Sequence, residues 1–578
     1  MSNLTLPPKK LQSHGGVRGA DFDRRSSQSE GRFGRMFRSL PAAIWPVAAL
    51  EELAGDGARP NRMTAPPEVE DGTRLPKAPP ETKQATRLHD DEENSGIDAG
   101  YTYLGQFIDH DITFDPASSM QQQNDVDALV DFRTPQLDLD SVYGSGPDDQ
   151  PYLYESNGRR FQFGRSLTEG PGGHVIAHDL PRHSWTEHGG KQFHRALTGD
   201  KRNDENVIIS QLHGVFLRFH NRFADDNPQL SFAEVQRHVR WHYQYVVLRD
   251  YLFKIARSDV IHAVLPHLAS ERSIFDDKPN LHHYRPRNDA YMPIEFSAAA
   301  FRFGHSMVRP IYRLNKELKG GNHPDHTSPD ETARGIFGRQ FIFAGLKERG
   351  LNGFDQFPTK WGIDWNLFFD LTGDSASRVG ANRTQPSYKI DTSLVNPLAF
   401  LPEFSRVNGV PPLDNVAQLQ PHALPGKKNN LALRNLLRGM AMGLPSGQDV
   451  ALAMGLIPLT DDKLRVGKAT VAAEYEALPT LASLHPDFAG KAPLWYYVLA
   501  EAQDDWLING GAEDTPVQLG EVGSRIVVET LVGLLWNDSH SVLRQASKWV
   551  PTLGKGEGFD MPDFVNYALG RTQAKART

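Results

Sequence analysis

Apolar residues recur at helical spacing over several long stretches of this chain, and alternation of the kind that marks strands is sparse. Residues 207–224 form an amphipathic run, followed by a second from Phe232 to Ile255 that is dense in Trp241, Tyr243, Tyr245 and Tyr251. Glu295 to Pro310, Asn430 to Gly439, Leu494 to Ala502 and Ser524 to Trp536 read as further helices. Gly105 to Asp111 reads as one more, with Gln106 and His110 four residues apart and stacked on one face. The expected fold class is therefore mainly α. No internal repeat is apparent.

Two regions break the pattern. Residues 145–200 are rich in Gly, Pro, His and Asp, with little periodicity, and are expected to be long surface loops. Residues 1–94 read as an irregular arm, packed loosely and solvated. Its first part carries Arg18, Arg24, Arg25, Arg32, Arg35 and Arg38, and its second carries Pro60, Pro66, Pro67, Pro76, Pro79 and Pro80. The ordered pattern starts at Ser95, which sets the expected domains at 1–94 for the arm and 95–570 for a single large body.

Composition narrows the function classes. Of 578 residues, 39% are hydrophobic and 23% charged, enough for a sizeable core. A net charge of −8 argues against nucleic acid as the main partner. The absence of cysteine removes disulfides, thiolate metal sites and cysteine nucleophiles together. Residues 1–25 lack an apolar signal region, and 41–50 are too short and too interrupted to span a bilayer. The expectation is a protein with no membrane span and a cytoplasmic location by default, with export lacking a cleaved signal left open.

Candidate chemistry gathers around His110. Asp109 and Asp111 flank it on neighbouring helix faces, and a buried histidine beside two carboxylates and an amide needs partners for each. Downstream, Thr134, Gln136, Asp138 and Asp140 place an oxygen at every second residue. In an extended loop these oxygens would turn to one side, a donor set suited to a hard cation. Arg202 and Glu205 stand three apart. His305 lies in an apolar frame, Phe301-Arg302-Phe303-Gly304-His305, where Gly304 would let a flat group approach the backbone. Asn435 and Arg438 share a helix face.

Taken in this order, Gln-x-x-Asp-His-Asp, Arg-x-x-Glu, Phe-Arg-Phe-Gly-His and Asn-x-x-Arg resemble the animal-type haem peroxidases of the peroxidase–cyclooxygenase superfamily. The resemblance covers residues 95 to about 570 and, given the missing cysteines, is closer to bacterial branches than to secreted animal ones. It implies one haem b bound through His305, with Asn435 accepting a hydrogen bond from the other ring nitrogen and Arg438 near the propionates. It implies His110 as distal acid–base group, Arg202 as the charge that stabilises O–O cleavage, and Gln106 holding distal water or halide. Asp109 and Glu205 match the carboxylates that ester-link haem. Asn206 stands where the strongest chloride oxidiser of the family has a methionine, so that third link is not expected, which puts chloride oxidation in doubt. Asp111, Thr134, Gln136, Asp138 and Asp140 match the family's calcium site. The implied activity is oxidation of small donors (phenols, bromide, iodide or thiocyanate) by hydrogen peroxide through an oxoferryl intermediate. The rivals are a fatty-acid dioxygenase of the same superfamily, disfavoured because no tyrosine stands on Pro293 to Gly304, and a haem-binding sensor without turnover.

Overall fold

A computed structural model describes residues 31–65, 93–114, most of 130–317, 339–341, 351–373, most of 383–401, and most of 430–571. The described chain is mainly helical. Helices α1 (Val47–Ala54), α2 (Ala99–Ile112), α3 (Val207–Asp226), α4 (Phe232–Val246), α5 (Leu431–Ala441), α6 (Leu494–Ile508), α7 (Glu521–Asn537) and α8 (Met561–Ala568) surround one continuous core. No helix among the described residues is long and apolar enough to cross a membrane.

The helix starts follow from their first residues. Asn206 caps α3, its Oδ1 accepting from the N–H groups of Ile208 and Ile209 at 3.1 and 3.0 Å. Ser231 and Glu234 form a capping box at the head of α4. Asn430 caps α5 and also donates to Gly55 O at 3.0 Å, tying α5 to α1. The run from Phe232 to Ile255 is helical throughout, but residues Val247–Tyr251 form a π-turn that the spacing alone did not reveal. That turn delivers Tyr251 against α2, where its hydroxyl fills the place a Cβ on Gly105 would occupy, so any larger residue at 105 would have to displace it.

Three sequence expectations need correction. Part of the expected arm is woven into the body: Gly31–Gly34 is the central strand of a sheet between Val130–Asp131 and Met292–Pro293. Ala49, Leu50, Leu53 and Ala54 are fully buried, α1 packs on α5, and Arg35 donates to the carbonyls of Gly443 and Met442 at 2.7 and 3.0 Å. The carboxylate of buried Glu295 receives the N–H groups of Met36 and Phe37. Arg35 thus ties the arm to the body by contacts that composition could not disclose; residues 1–30 and 66–92 of the arm lie outside the described residues.

Secondly, 145–200 is not all loop. It holds two antiparallel hairpins, Ser166–Thr168 with Val175–His178 and Arg182–Thr186 with Gln192–Ala196. Their strands are short and largely uncovered, so they carry no clean inward–outward alternation. Thirdly, the expected helix at 295–310 is two short pieces, α-helical Ile294–Ser297 and a 3₁₀ turn Ala300–His305. Ala299, at φ −137° and ψ −82°, interrupts them. The 3₁₀ turn packs against α2, α6 and α7, which brings His305 next to the helix that carries His110.

Candidate active site

α2 divides its polar residues between two neighbourhoods. His110 is buried, 4% exposed, and its Nδ1 donates to Asn203 Oδ1 at 2.8 Å; a carbonyl oxygen can only accept, so the ring proton sits on Nδ1. Nε2 takes no hydrogen bond from the described residues. Burial, aided by the Arg202 charge, pushes the ring pKa down to about 4, so His110 is neutral with a free lone pair. Gln106, one turn earlier, donates to Glu205 and lies 3.4 Å from Asn206 Nδ2. Asn206 thus caps α3 and touches Gln106 at once.

Arg202 is held on every side. Its guanidinium donates to the carbonyls of His110 and Thr113 and to both oxygens of Asp200, and it lies over the Phe114 ring at 4.7 Å. Asp109 Oδ2 stands 3.7 Å from Arg202 Nη1, while Asp109 Oδ1 accepts from Thr113 Oγ1. Asp200, 1% exposed at its side chain, neutralises much of the Arg202 charge. Asp200 also meets Arg133 at 2.7 Å, and these two cations hold its carboxyl far below the usual range despite burial. Asp200, Arg133 and Asn203 were missed from sequence. The Arg133–Asp200 contact joins residues 67 apart, and no local pattern announces it.

Asp111 turns the other way. Its oxygens accept from Leu139 N and Ser141 Oγ, both at 3.2 Å, and its carboxylate gathers with those of Asp138 and Asp140 within 4.8 Å. Thr134 Oγ1 donates to Asp138 Oδ2 at 2.9 Å, so four of the five predicted donors come together. Gln136 is half-buried on the same loop, and its side chain makes no hydrogen bond to them among the described residues. The loop is bent rather than extended. Leu139 takes a left-handed φ of 59°, and this fold, not simple alternation, aims the oxygens. Burial and the neighbouring carboxylates raise the pKa of Asp111 well above normal and push that of Asp140 to about 7, against the pull of Arg133. Asp140 Oδ1 is buried without a partner. A buried set of three carboxylates needs positive charge, and this donor chemistry suits a hard cation.

On the other side, His305 Nδ1 lies 2.8 Å from Asn435 Nδ2, and Arg302 Nη1 donates to Asn435 Oδ1, also at 2.8 Å. The predicted pair is present, but its direction is reversed. A guanidinium has only donors, so it takes the amide oxygen and leaves the amide NH₂ to face the ring. Burial, with Arg302 nearby, pushes the His305 pKa to about 3, which keeps the imidazole neutral as a metal ligand requires. Arg302 itself is pushed down to about 10, by burial first and then by Arg438 and Arg434. A Cβ built on Gly304 would meet nothing within 4 Å, so the space beside His305 is open.

A neutral imidazole, a strained guanidinium cluster that favours carboxylates and open space beside Gly304 fit an iron porphyrin with propionate arms. Over part of the chain, the family model and the curated relatives are haem peroxidases. Residues 120–344 match the animal haem peroxidase family model, a span that includes Arg202, Glu205 and His305, with Gln106 and His110 just ahead of it. The chain is 24% identical over 285 residues to heme peroxidase 2 of Caenorhabditis elegans, 39% of this chain and 38% of that protein. It is 28% identical over 166 residues to thyroid peroxidase of Mus musculus, 27% of this chain and 16% of that one. The matches thus span well under half the length of these curated relatives. Among solved structures, peroxidase A of Dictyostelium discoideum aligns with a TM-score of 0.48 at 14% identity, over 93% of this chain and 94% of that one. A fatty acid alpha-dioxygenase of Oryza sativa aligns with a TM-score of 0.47 at 13% identity, over 94% and 86%. Residues 120–344, less than half of the chain, thus resemble the animal haem peroxidase family, and the curated relatives matched are peroxidases.

Proposed function

We propose that this protein is a haem-dependent peroxidase that uses hydrogen peroxide to oxidise small donors such as phenols, bromide, iodide or thiocyanate. The observation that carries this reading is the state of His110: neutral, proton on Nδ1, Nε2 lone pair free, with the Arg202 guanidinium anchored beside it. His305 would bind the iron, Arg302 and Arg438 would receive the propionates, and Asp109 and Glu205 would stand at the ring edge as carboxylates able to form esters. Haem b, when bound, supplies the two-electron reduction of peroxide and the one-electron oxidation of donors.

The chain's own groups supply proton and charge control. His110 Nε2 would accept a proton from hydrogen peroxide and return it to the departing oxygen. Arg202 stabilises the negative charge that grows on that oxygen, tempered by Asp200. Gln106, tethered by Glu205 and Asn206, presents its amide to water or a halide. A carboxylate at Arg302 would outcompete the neutral Asn435 oxygen for Nη1–H, freeing the amide to turn and accept from His305 Nδ1. Calcium would occupy Asp111, Thr134, Gln136, Asp138 and Asp140, balancing their charge behind His110.

The fatty-acid dioxygenase reading keeps one foothold, Tyr251, buried with its hydroxyl against α2 and its ring 6.3 Å from that of Phe301. One assay separates the two. The haem-loaded protein should oxidise a phenol only with peroxide, and His110→Ala or Arg202→Ala should lower that rate on the order of a hundredfold while retaining haem. Oxygen uptake with linoleate that is faster than phenol oxidation and indifferent to a peroxide scavenger would overturn the proposal.

A further inference from the structure

Behind His110 stands a second buried histidine to which the chemistry above gives no task. His213 lies on α3, 1% exposed, with its ring edge-on to that of Phe107. Between the two histidines sits Asn203, fully buried on the turn that also carries Arg202. Its amide uses both ends: Oδ1 faces His110 Nδ1 at 2.8 Å, and Nδ2 faces His213 Nδ1 at 3.0 Å.

We infer that Asn203 and His213 are positioning residues that fix the tautomer of His110, an inference that rests on the peroxidase reading for its functional consequence. An amide NH₂ can only donate, so His213 Nδ1 must be an unprotonated acceptor, with the ring proton on Nε2. A protonated His213 would have no lone pair to offer, and burial prevents that state. With its nitrogen engaged there, the amide presents oxygen to His110, which must then donate Nδ1–H and keep Nε2 bare. A turned amide would put the proton of His110 on Nε2, where it blocks proton uptake from peroxide. A purely apolar neighbour at 213 would leave the amide free to take either orientation. The two histidines are therefore set by one side chain, and the charged Arg202 next in sequence is kept out of the relay by Asp200.

The test uses two variants of the full chain and two readouts. His213→Leu removes the acceptor, while His213→Asn restores an oxygen near the position of Nδ1. In the haem-free protein, ring ¹⁵N spectra assigned with His110→Gln report which nitrogen of His110 carries the proton. Wild type and His213→Asn should show protonated Nδ1, and His213→Leu should show a mixture. In the haem-loaded protein, the peroxide reaction should slow at least about tenfold in His213→Leu and stay within about threefold in His213→Asn. Protonated Nε2 in the wild type, or a His213→Leu protein with unchanged tautomer, overturns the inference whether or not the protein proves to be a peroxidase. A wild type with the expected tautomer but no peroxide reaction would instead defeat only the peroxidase reading.

Discussion

Replacing Asp200 with asparagine is the sharpest test of how the distal side is held. The side chain is 1% exposed and lies between two guanidinium groups that are themselves largely covered, Arg133 and Arg202 at 13% and 18%. Asp200 accepts from the Arg202 backbone N–H at 2.8 Å, from its Nε at 3.1 Å and from its Nη2 at 2.9 Å, and from Arg133 Nε at 2.9 Å. Asparagine keeps the shape, so no cavity opens, but it withdraws the negative charge that both cations share. Breaking a buried pair from one side costs about 3–5 kcal/mol, because a charge remains without compensation. Residual pairing of Arg133 with Asp140 and of Arg202 with Asp109 places the expected loss at the lower end, about 3 kcal/mol. The control is Asp225→Asn, which breaks a surface pair to Arg160 and should cost at most about 1 kcal/mol. Thermal melting of the two variants side by side decides it. An Asp200→Asn protein that melts as high as the Asp225→Asn control would refute the view that Asp200 anchors the distal arginine.

Acid should destabilise the protein through its buried histidines rather than through Asp200. His110, His213, His220, His242 and His305 have pKa values pushed down to about 3–4 by burial, so between about pH 6.5 and 4 the unfolded chain binds more protons. These rings lower the melting temperature as pH falls through that window, against the opposite contribution of Asp140, Asp204, Asp250 and Glu501, whose pKa values are raised to about 6–7; His242→Phe should lessen the fall relative to wild type, and an unchanged pH profile in that variant would contradict the burial of this ring. Asp200, held low, gives stability present above the usual carboxylate pKa and lost only at extreme acidity. Calcium should be found by elemental analysis of active protein, and a chelator should lower melting temperature and peroxide reaction together; active protein free of calcium would rule the site out. Repeated peroxide cycles should leave haem that acid solvent no longer extracts, through Asp109 or Glu205, and Asp109→Val with Glu205→Val should restore full extraction.

What the chain disclosed in advance follows a physical rule. Gln106, His110 and Asp111 were legible because one helix places them by a fixed rotation, and α2 obeys it. The same holds for Asn435 and Arg438 on α5. Contacts made by side chains across the fold were not legible. Asn203 meets His110 over 93 residues, and Arg302 reaches Asn435 over 133. Residues 295–310 were misread as one helix because both their pieces, Ile294–Ser297 and Ala300–His305, are helical turns, and the break at Ala299 leaves no mark in the sequence. Residues 31–65 were misread because they were taken together with the arginines and prolines of the whole 1–94 stretch, whereas a few residues such as Leu50, Leu53 and Met63 do the burying.

The contacts around Arg202 also imply that the acidic cluster and this arginine are not independent. Charges alternate without a break from Asp109 to Arg202, Asp200, Arg133 and Asp140, with separations of 3.7, 2.9, 2.7 and 3.2 Å. Asp140 belongs at the same time to the cluster with Asp111 and Asp138. A cation bound there would draw on the carboxylate that Arg133 now holds, and Arg133 would then lean more heavily on Asp200. Because Asp200 is shared, a stronger claim by Arg133 loosens its hold on Arg202 and leaves more positive charge facing Asp109 and the distal side. At these separations in a poorly hydrated interior, interactions of this kind are several-fold stronger than in water. Occupation of the acidic loop would therefore reach the distal face by two routes, through the backbone from Asp111 to His110 and through this chain of charges to Arg202.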